Sequence, residues 1–180
     1  MTMKKIMFTE NYGLHRAVLD GRKTATRRIV DGYGQAYKAG ETVAVAQSYK
    51  EILKELYAMP GERHKFKEKL MKLYHTQDWD DITQEPAMKN KMYVKSEAMI
   101  HHILIKDVRT EKLQAIDEFD AMDEGVLYNV REDVYYLDLD SKHNFKDHKE
   151  AFAFLMDKVA KRGTWEDNPD VYVYTFKLID

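Results

Sequence analysis

The chain has 180 residues, with 29 Lys and Arg against 31 Asp and Glu, no Cys, and a formal net charge of −2 at pH 7. Its 44% hydrophobic content is too high for a disordered chain, and its length suits one domain. The absence of Cys excludes disulfide scaffolds and thiolate metal sites, and no stretch approaches the roughly 20 apolar residues of a membrane span. We therefore expect a soluble cytoplasmic protein with no metal and no cofactor.

Elements in the first half of the chain follow from side-chain periodicity and from capping residues. The predicted elements are a strand at 4–8, a helix that Asn11 caps and Gly21 ends, an extended stretch at 21–30, a strand at 42–46 and a helical segment within 50–90. The helical segment has an apolar face, with lysines mostly off it: Lys65, Lys67, Lys69 and Lys72. The residues alone favour a solvated helix face for these lysines.

The second half of the chain alternates strands and helices. The predicted elements are strands at 91–95 and 100–108, a helix that Asp117 caps and Gly125 ends, an acidic loop within 128–150, a helix that Asp147 caps and Gly163 ends, a turn at 165–169 and a strand at 171–178. Separated strands with few helices predict a small α+β or barrel-like domain.

Charge is distributed unevenly along these elements. Residues 1–50 hold nine Lys and Arg against four Asp and Glu, whereas residues 111–150 hold five against twelve. The chain is therefore basic at its front and acidic in the later segment, although its sum is nearly neutral.

The strongest local signal for a binding site lies in the basic front, in the run Gly21-Arg22-Lys23-Thr24-Ala25-Thr26-Arg27-Arg28. Residues 22–28 carry four cations and two hydroxyls, which suit phosphate groups and base edges. The alternative interpretation is a basic surface loop that pairs with the acidic segment 111–150. Glu124 is a second candidate, because a carboxylate at a helix C-terminus is disfavoured in its charged form and can serve in acid–base chemistry. Its alternative interpretation is an exposed Glu beside a helix cap.

Four ordered motifs resemble the ASCH domain family of the PUA-like superfamily. They are the run at 21–28, Gly40-Glu41-Thr42-Val43, the segment from Ile105 to Gly125, and Trp165-Glu166-Asp167-Asn168-Pro169 with the strand that follows it. The last motif is similar to the longer, phage-associated branch of the family. The resemblance implies a PUA-like small β-barrel of mixed and antiparallel strands with flanking helices. It also implies a single domain over 1–180 with insertions at about 50–90 (helical) and 128–150 (acidic loop).

The resemblance also implies a ligand and a site. The family is expected to bind RNA or nucleotides in a cleft beside the first helix, and some short members remove the acetyl group from N4-acetylated cytidine. Those enzymes use a Lys, a Thr three residues later and a Glu before the helix end, which match Lys23, Thr26 and Glu124 here. The ligand-binding residues that it implies are Arg22, Thr24, Arg27, Arg28 and Lys95, of which Lys95 stands where the longer branch has Arg.

Three functions stay open from the sequence. The first is binding of RNA or a modified nucleotide, and the second is amide hydrolysis on an N4-acetylcytidine-like nucleoside by Lys23, Thr26 and Glu124. The third is a phage or prophage accessory role through protein contacts made by the segments 50–90 or 128–150. The sequence predicts no oligomeric state.

Overall fold

The protein is described from a computed structural model that covers residues 3–34, 36–137 and 143–180. The strands are β1 (Lys5–Ile6), β2 (Ala25–Ile29), β3 (Thr42–Val45), β4 (His102–Lys112), β5 (Leu127–Asn129), β6 (Val134–Tyr136) and β7 (Asp170–Leu178). The α-helices are α1 (Leu14–Leu19), α2 (Tyr49–Glu55), α3 (Pro60–Tyr74), α4 (Trp79–Gln84), α5 (Glu118–Asp123), α6 (His148–Val159) and α7 (Thr164–Asp167). Short 3-10 turns connect several of these elements.

The larger sheet has five strands in the order β1-β3-β4-β7-β2. It is mixed, because β1 pairs parallel with β3 while β2 pairs antiparallel with β7. The α+β class is therefore confirmed. The edge strands β1 and β2 are not paired with each other among the described residues, so the sheet is open and the expected barrel is not confirmed.

A second sheet is the two-stranded hairpin β5–β6, in which Tyr128 pairs with Tyr135. It occupies part of the segment 128–150 that we predicted as an acidic loop. The aromatic pair explains the difference, since the two tyrosine rings lie 4.8 Å apart on neighbouring strands. Residues 138–142 of that segment lie outside the described residues.

The chain divides into two compact units. The first unit holds the described residues up to Phe8, Thr42–Ile103 and Ile179–Asp180, and its core includes Ile52, Leu70 and Ile82. The second holds the described residues of Thr9–Glu41 and Leu104–Leu178, and its core includes Leu113, Phe152, Leu155 and Val173. The segment 50–90 contains α2, α3 and α4. The arrangement as one domain with two insertions stays a prediction.

Helix α5 has the boundaries that its capping residues predict. The side chain of Asp117 accepts a hydrogen bond from the backbone N–H of Asp120, which satisfies one of the free donors of the first turn. Glu124 is the C-cap, and Gly125 follows in the left-handed conformation with φ +105°. The predicted helix from Asp117 to Gly125 is confirmed, and its end positions Glu124.

Four local predictions were wrong. Residues 91–95 are not a strand, because Asn90 accepts a hydrogen bond from the backbone N–H of Met92 and starts a turn. Helix α1 begins after Gly13 rather than at Asn11, which lies in a 3-10 turn. Helix α6 ends at Val159, before Gly163, and the expected turn at 165–169 begins as α7.

None of the helices in the described part of the chain has the length and apolar character to cross a membrane.

Candidate functional site

Lys23 and Glu124 form a buried ion pair in the second unit. The ammonium of Lys23 donates to Glu124 Oε2 at 2.6 Å and to the Glu124 carbonyl oxygen at 2.7 Å. The side chains are 2% and 5% exposed. A carbonyl at the C-terminus of a helix lacks an intrahelical partner. The ammonium of Lys23 therefore gives the Glu124 carbonyl at the end of α5 a hydrogen-bond donor and also neutralises the Glu124 carboxylate.

Gly125 allows the close approach of this helix end to α1. A Cβ atom added to Gly125 would lie 3.1 Å from Leu14 Cδ2 and 3.8 Å from Lys23 Cδ. The left-handed backbone at this residue also favours glycine over any residue with a side chain. The Glu-Gly sequence therefore serves the geometry of the ion pair as well as ending the helix.

Arg27 binds the same carboxylate from strand β2. Its side chain is 0% exposed, and its guanidinium donates to Glu111 and Asp120 at 2.6 Å and to Glu124 at 3.3 Å. Arg109 donates to Asp120 at 2.8 Å and to Glu111 at 3.0 Å. We call these six residues the ion network: Lys23, Arg27, Arg109, Glu111, Asp120 and Glu124.

The ion network balances its charges and perturbs the proton affinity of Lys23. Burial lowers the pKa of the Lys23 ammonium below its usual value, the carboxylate of Glu124 opposes this change, and the charges of Arg28 and Arg27 lower the pKa further. For Arg27, burial would lower the pKa of the guanidinium, but the surrounding carboxylates, led by Glu124, outweigh burial and raise it. Lys23 is therefore the member of the network best suited to give up its proton.

The two faces of β2 have different surroundings. Residues directly paired across an antiparallel ladder share a face, so Arg27 lies beside Val173, which belongs to the core of the second unit. On the opposite face, Thr26 pairs with Tyr174 and Arg28 pairs with Tyr172. Thr26 therefore shares its face with Arg28 and two tyrosines rather than with Arg27.

A loop contributes to this second face of β2. The hydroxyl of Tyr174 accepts a hydrogen bond from the backbone N–H of Ala36, and the rings of Tyr37 and Tyr174 meet edge to face at 5.3 Å. Burial raises the pKa of Tyr37, and the charge of Arg28 opposes that change. The positive charge of Arg28 is therefore felt both by Lys23 and by an aromatic side chain of the loop.

The structure brings together some of the residues that the sequence singles out. Lys23, Arg27 and Glu124 meet, so the basic front does pair with the acidic segment at these positions. Thr26 is 5% exposed, and its hydroxyl makes no hydrogen bond to any of the described residues. Thr24 donates through its hydroxyl to Asp123 at 2.7 Å.

Arg22 and Lys95 lie outside the ion network. Arg22 is exposed and lies 3.4 Å from Asp20. Lys95 belongs to the first unit, where its ammonium donates to the Leu73 carbonyl at 2.8 Å and lies 4.0 Å from the ring centre of Tyr74. Its role as a ligand-binding residue stays a prediction.

Comparisons with known proteins give one structural likeness of interest. No family model matches the chain, and no curated protein matches its sequence. The crystal structure of protein EF3133 from Enterococcus faecalis V583, assigned to the family DUF984, is similar with a TM-score of 0.47 and 14% sequence identity. The match covers 100% of this chain and 82% of that chain.

Proposed function

We propose that the protein is an ASCH-like domain that binds RNA or a modified nucleotide beside the Lys23–Glu124 pair. The observation that carries the proposal is the 2.6 Å contact between two residues 101 positions apart, each of which belongs to a motif that resembles this family. A PUA-like barrel, a relationship to the phage-associated branch and a cytoplasmic location are parts of the same proposal. They rest on the sequence resemblance.

The surroundings of β2 suggest how the ligand-binding residues divide. The guanidinium of Arg27 is fully buried among three carboxylates, so we assign it the role of positioning Glu124. Arg28 is exposed and shares a face with Thr26 and with Tyr172. A guanidinium, a hydroxyl and an aromatic ring are the groups that bind a phosphate, a base edge and a base face.

A second candidate function is hydrolysis of an N4-acylated cytidine, and the lowered pKa of the buried Lys23 favours it. Transfer of one proton from Lys23 to Glu124 converts the ion pair into a neutral amine and a carboxylic acid. This step requires the Thr26 hydroxyl, which is not bonded to Lys23 in the structure, to approach the amine when the substrate binds. The amine then takes the proton of that hydroxyl while Thr26 Oγ1 attacks the acyl carbon. Glu124 gives its proton to the departing N4 nitrogen, the C–N bond breaks, and Thr26 holds the acyl group as an ester.

The second half of this reaction restores the site. Glu124, now a carboxylate, takes a proton from water, whose oxygen attacks the ester. Lys23 returns its proton to Thr26 Oγ1 as the carboxylic acid leaves. The balance is one amide and one water consumed, and one cytidine and one carboxylic acid released.

Incubation with N4-acetylcytidine tests the second candidate. We expect cytidine release by the native protein, its complete loss in Thr26→Val and in Lys23→Met, and its retention in Thr83→Val. The control removes a threonine hydroxyl of the first unit, which donates to the Asp80 carbonyl. Unchanged turnover in Thr26→Val would eliminate the mechanism.

Calorimetric titration separates binding from turnover. We expect the native protein and Thr26→Val both to bind N4-acetylcytidine 5′-monophosphate, whether or not the native protein hydrolyses it. Arg28→Gln should weaken binding, because it removes the exposed guanidinium. If neither this nucleotide nor a short single-stranded RNA binds, the proposed function is wrong.

A further inference from the structure

Helix α3 carries a basic stripe beside the face that holds its buried residues. Phe66 and Leu70 are buried in the core of the first unit. Lys65, Lys69 and Lys72 follow at spacings of four and three residues, which place them on one exposed face. This helix lies within the segment 50–90, outside the motifs that support the proposed function.

The basic stripe forms one wall of an open groove of about 540 Å³. The residues that line the groove are Lys65, Glu68, Lys69, Lys72, Leu73 and Glu97. At its side, the ammonium of Lys95 is held by the Leu73 carbonyl and by the ring of Tyr74. A concave surface of this size can accommodate a few units of a polymer, and its charged lining favours a charged one.

The charge of this groove is only partly neutralised. Lys65 donates to Glu62 at 2.8 Å, and Glu68 lies 3.5 Å from His64. Neither Lys69 nor Lys72 forms an ion pair with any carboxylate of the described residues. Two ammonium groups one helical turn apart therefore face the groove without a direct ion pair, and the three lysines of its lining outnumber the two carboxylates, Glu68 and Glu97.

We infer that this groove binds the phosphate backbone of a single-stranded RNA. The inference takes its ligand class from the proposed function and adds a second contact surface to it. With a rise of about 1.5 Å per residue, Lys65, Lys69 and Lys72 spread over about 10 Å of the helix. A chain of successive phosphates matches a row of cations, and each neutralised phosphate releases bound counterions.

The same observations disfavour a membrane surface as the partner. A helix that lies in a membrane interface inserts its apolar face into the lipid. The apolar residues Phe66 and Leu70 of α3 are already buried in the core of the first unit. A groove, rather than a flat or protruding face, also suits a thin polymer better than a bilayer.

Fluorescence anisotropy with a labelled single-stranded oligouridylate tests the inference. The test variant is Lys65→Gln/Lys69→Gln/Lys72→Gln. Its matched control is Lys50→Gln/Lys54→Gln/Lys89→Gln, which removes the same charge from exposed lysines of the same unit that do not line the groove. Each protein is titrated between about 50 and 200 mM salt.

We expect the test variant to bind at least about tenfold more weakly at the lower salt. The slope of log affinity against log salt should fall by about two, since each single-strand phosphate contact contributes about 0.7. The control should keep the native slope. Equal losses in the two variants, or none in either, would overturn the inference.

Two further arms distinguish this failure from failure of the proposed function. Lys23→Met is titrated with the same RNA. If Lys23→Met loses binding while the groove variant binds like the native protein, the proposed function is kept and the groove inference is rejected. No RNA binding by the native protein rejects both for this polymer. Binding to phosphatidylserine vesicles without RNA binding rejects the groove inference in favour of a lipid surface.

Discussion

Lys23 and Lys72 are the same residue type in two regions that treat a positive charge in opposite ways. Lys23 is buried, and its ammonium contacts a carboxylate and a carbonyl at under 3 Å. Lys72 is exposed on α3 and has no ion pair among the described residues. Burial makes a partner obligatory, because an uncompensated charge in the interior is very costly, whereas water solvates a surface ammonium.

The comparison separates two kinds of work that lysine can do. In the ion network, the surroundings of Lys23 lower its pKa and hold its nitrogen in one place, which suits proton transfer at a single point. In the groove, flexible exposed side chains can meet a charged ligand without an exact position. Substitutions that remove charge from the ion network should therefore lower the stability of the protein much more than substitutions that remove charge from the groove.

The largest effect is expected for Glu124→Gln. The substitution leaves the buried ammonium of Lys23 without a carboxylate, and breaking such a pair costs about 3–5 kcal/mol. Urea unfolding measures the loss of stability. Glu166→Gln, an exposed carboxylate on α7, is the control and should change stability by less than about 0.5 kcal/mol. A loss below about 1 kcal/mol for Glu124→Gln would show that the pair is not desolvated as described.

A smaller loss is expected for Gly125→Ala. The added Cβ lies 3.1 Å from Leu14 Cδ2 on a backbone with φ +105°, so strain of about 1–3 kcal/mol is expected. Gly61→Ala is the matched control, since its Cβ would meet no atom within 4 Å. The control should be neutral or stabilising by up to about 1 kcal/mol. Equal melting temperatures for the two variants would contradict the packing of Leu14 on Gly125.

The pH dependence of stability tests the lowered pKa of Lys23. Between that lowered value and the ordinary lysine value of 10.5, the unfolded chain binds more protons at this residue than the folded protein does. The folded state is therefore favoured as pH rises through this window. We expect the stability of the native protein, relative to Lys23→Met, to increase from neutral pH toward pH 10. A relative decrease would mean that Glu124 outweighs burial and raises the pKa.

The smallest effect is expected for Lys69→Gln/Lys72→Gln. Both residues are exposed and unpaired among the described residues, so thermal unfolding should shift by the equivalent of less than about 0.5 kcal/mol. The loss of stability in this double variant should be several-fold smaller than the loss in Glu124→Gln, although both variants change formal charges. A strongly destabilised double variant would show that the stripe supports the helix rather than a ligand.

Local chemistry allowed the sequence to predict the position of Glu124 but not its partners. Asp117 and Gly125 determine the two ends of α5 through their own side chain and backbone, and both are visible in the sequence. Glu111 and Asp120 have ordinary local explanations, in a strand and in the first turn of a helix. They lie 84 and 93 residues from Arg27, so no local pattern joins them to it.

The wrong predictions have a similar cause. Residues 91–95 contain residue types typical of strands, but the hydrogen bond from Met92 to the side chain of Asn90 directs the backbone into a turn. The ligand-binding role of Arg27 that the family resemblance implies stays a prediction. The position of Arg27 on the face of β2 that packs against the core depends on the pairing with β7, which becomes visible only in the folded sheet.

The separation of Lys23 and Glu124 by 101 positions has a consequence for the protein during its synthesis. When the ribosome has released the chain only as far as Ile103, Lys23 and Arg27 have emerged, but every carboxylate of the ion network is still to come. The nascent N-terminal segment therefore remains a solvated cationic chain, and long-range closure of this kind is slow. The Lys23–Glu124 ion pair cannot form until translation passes Glu124.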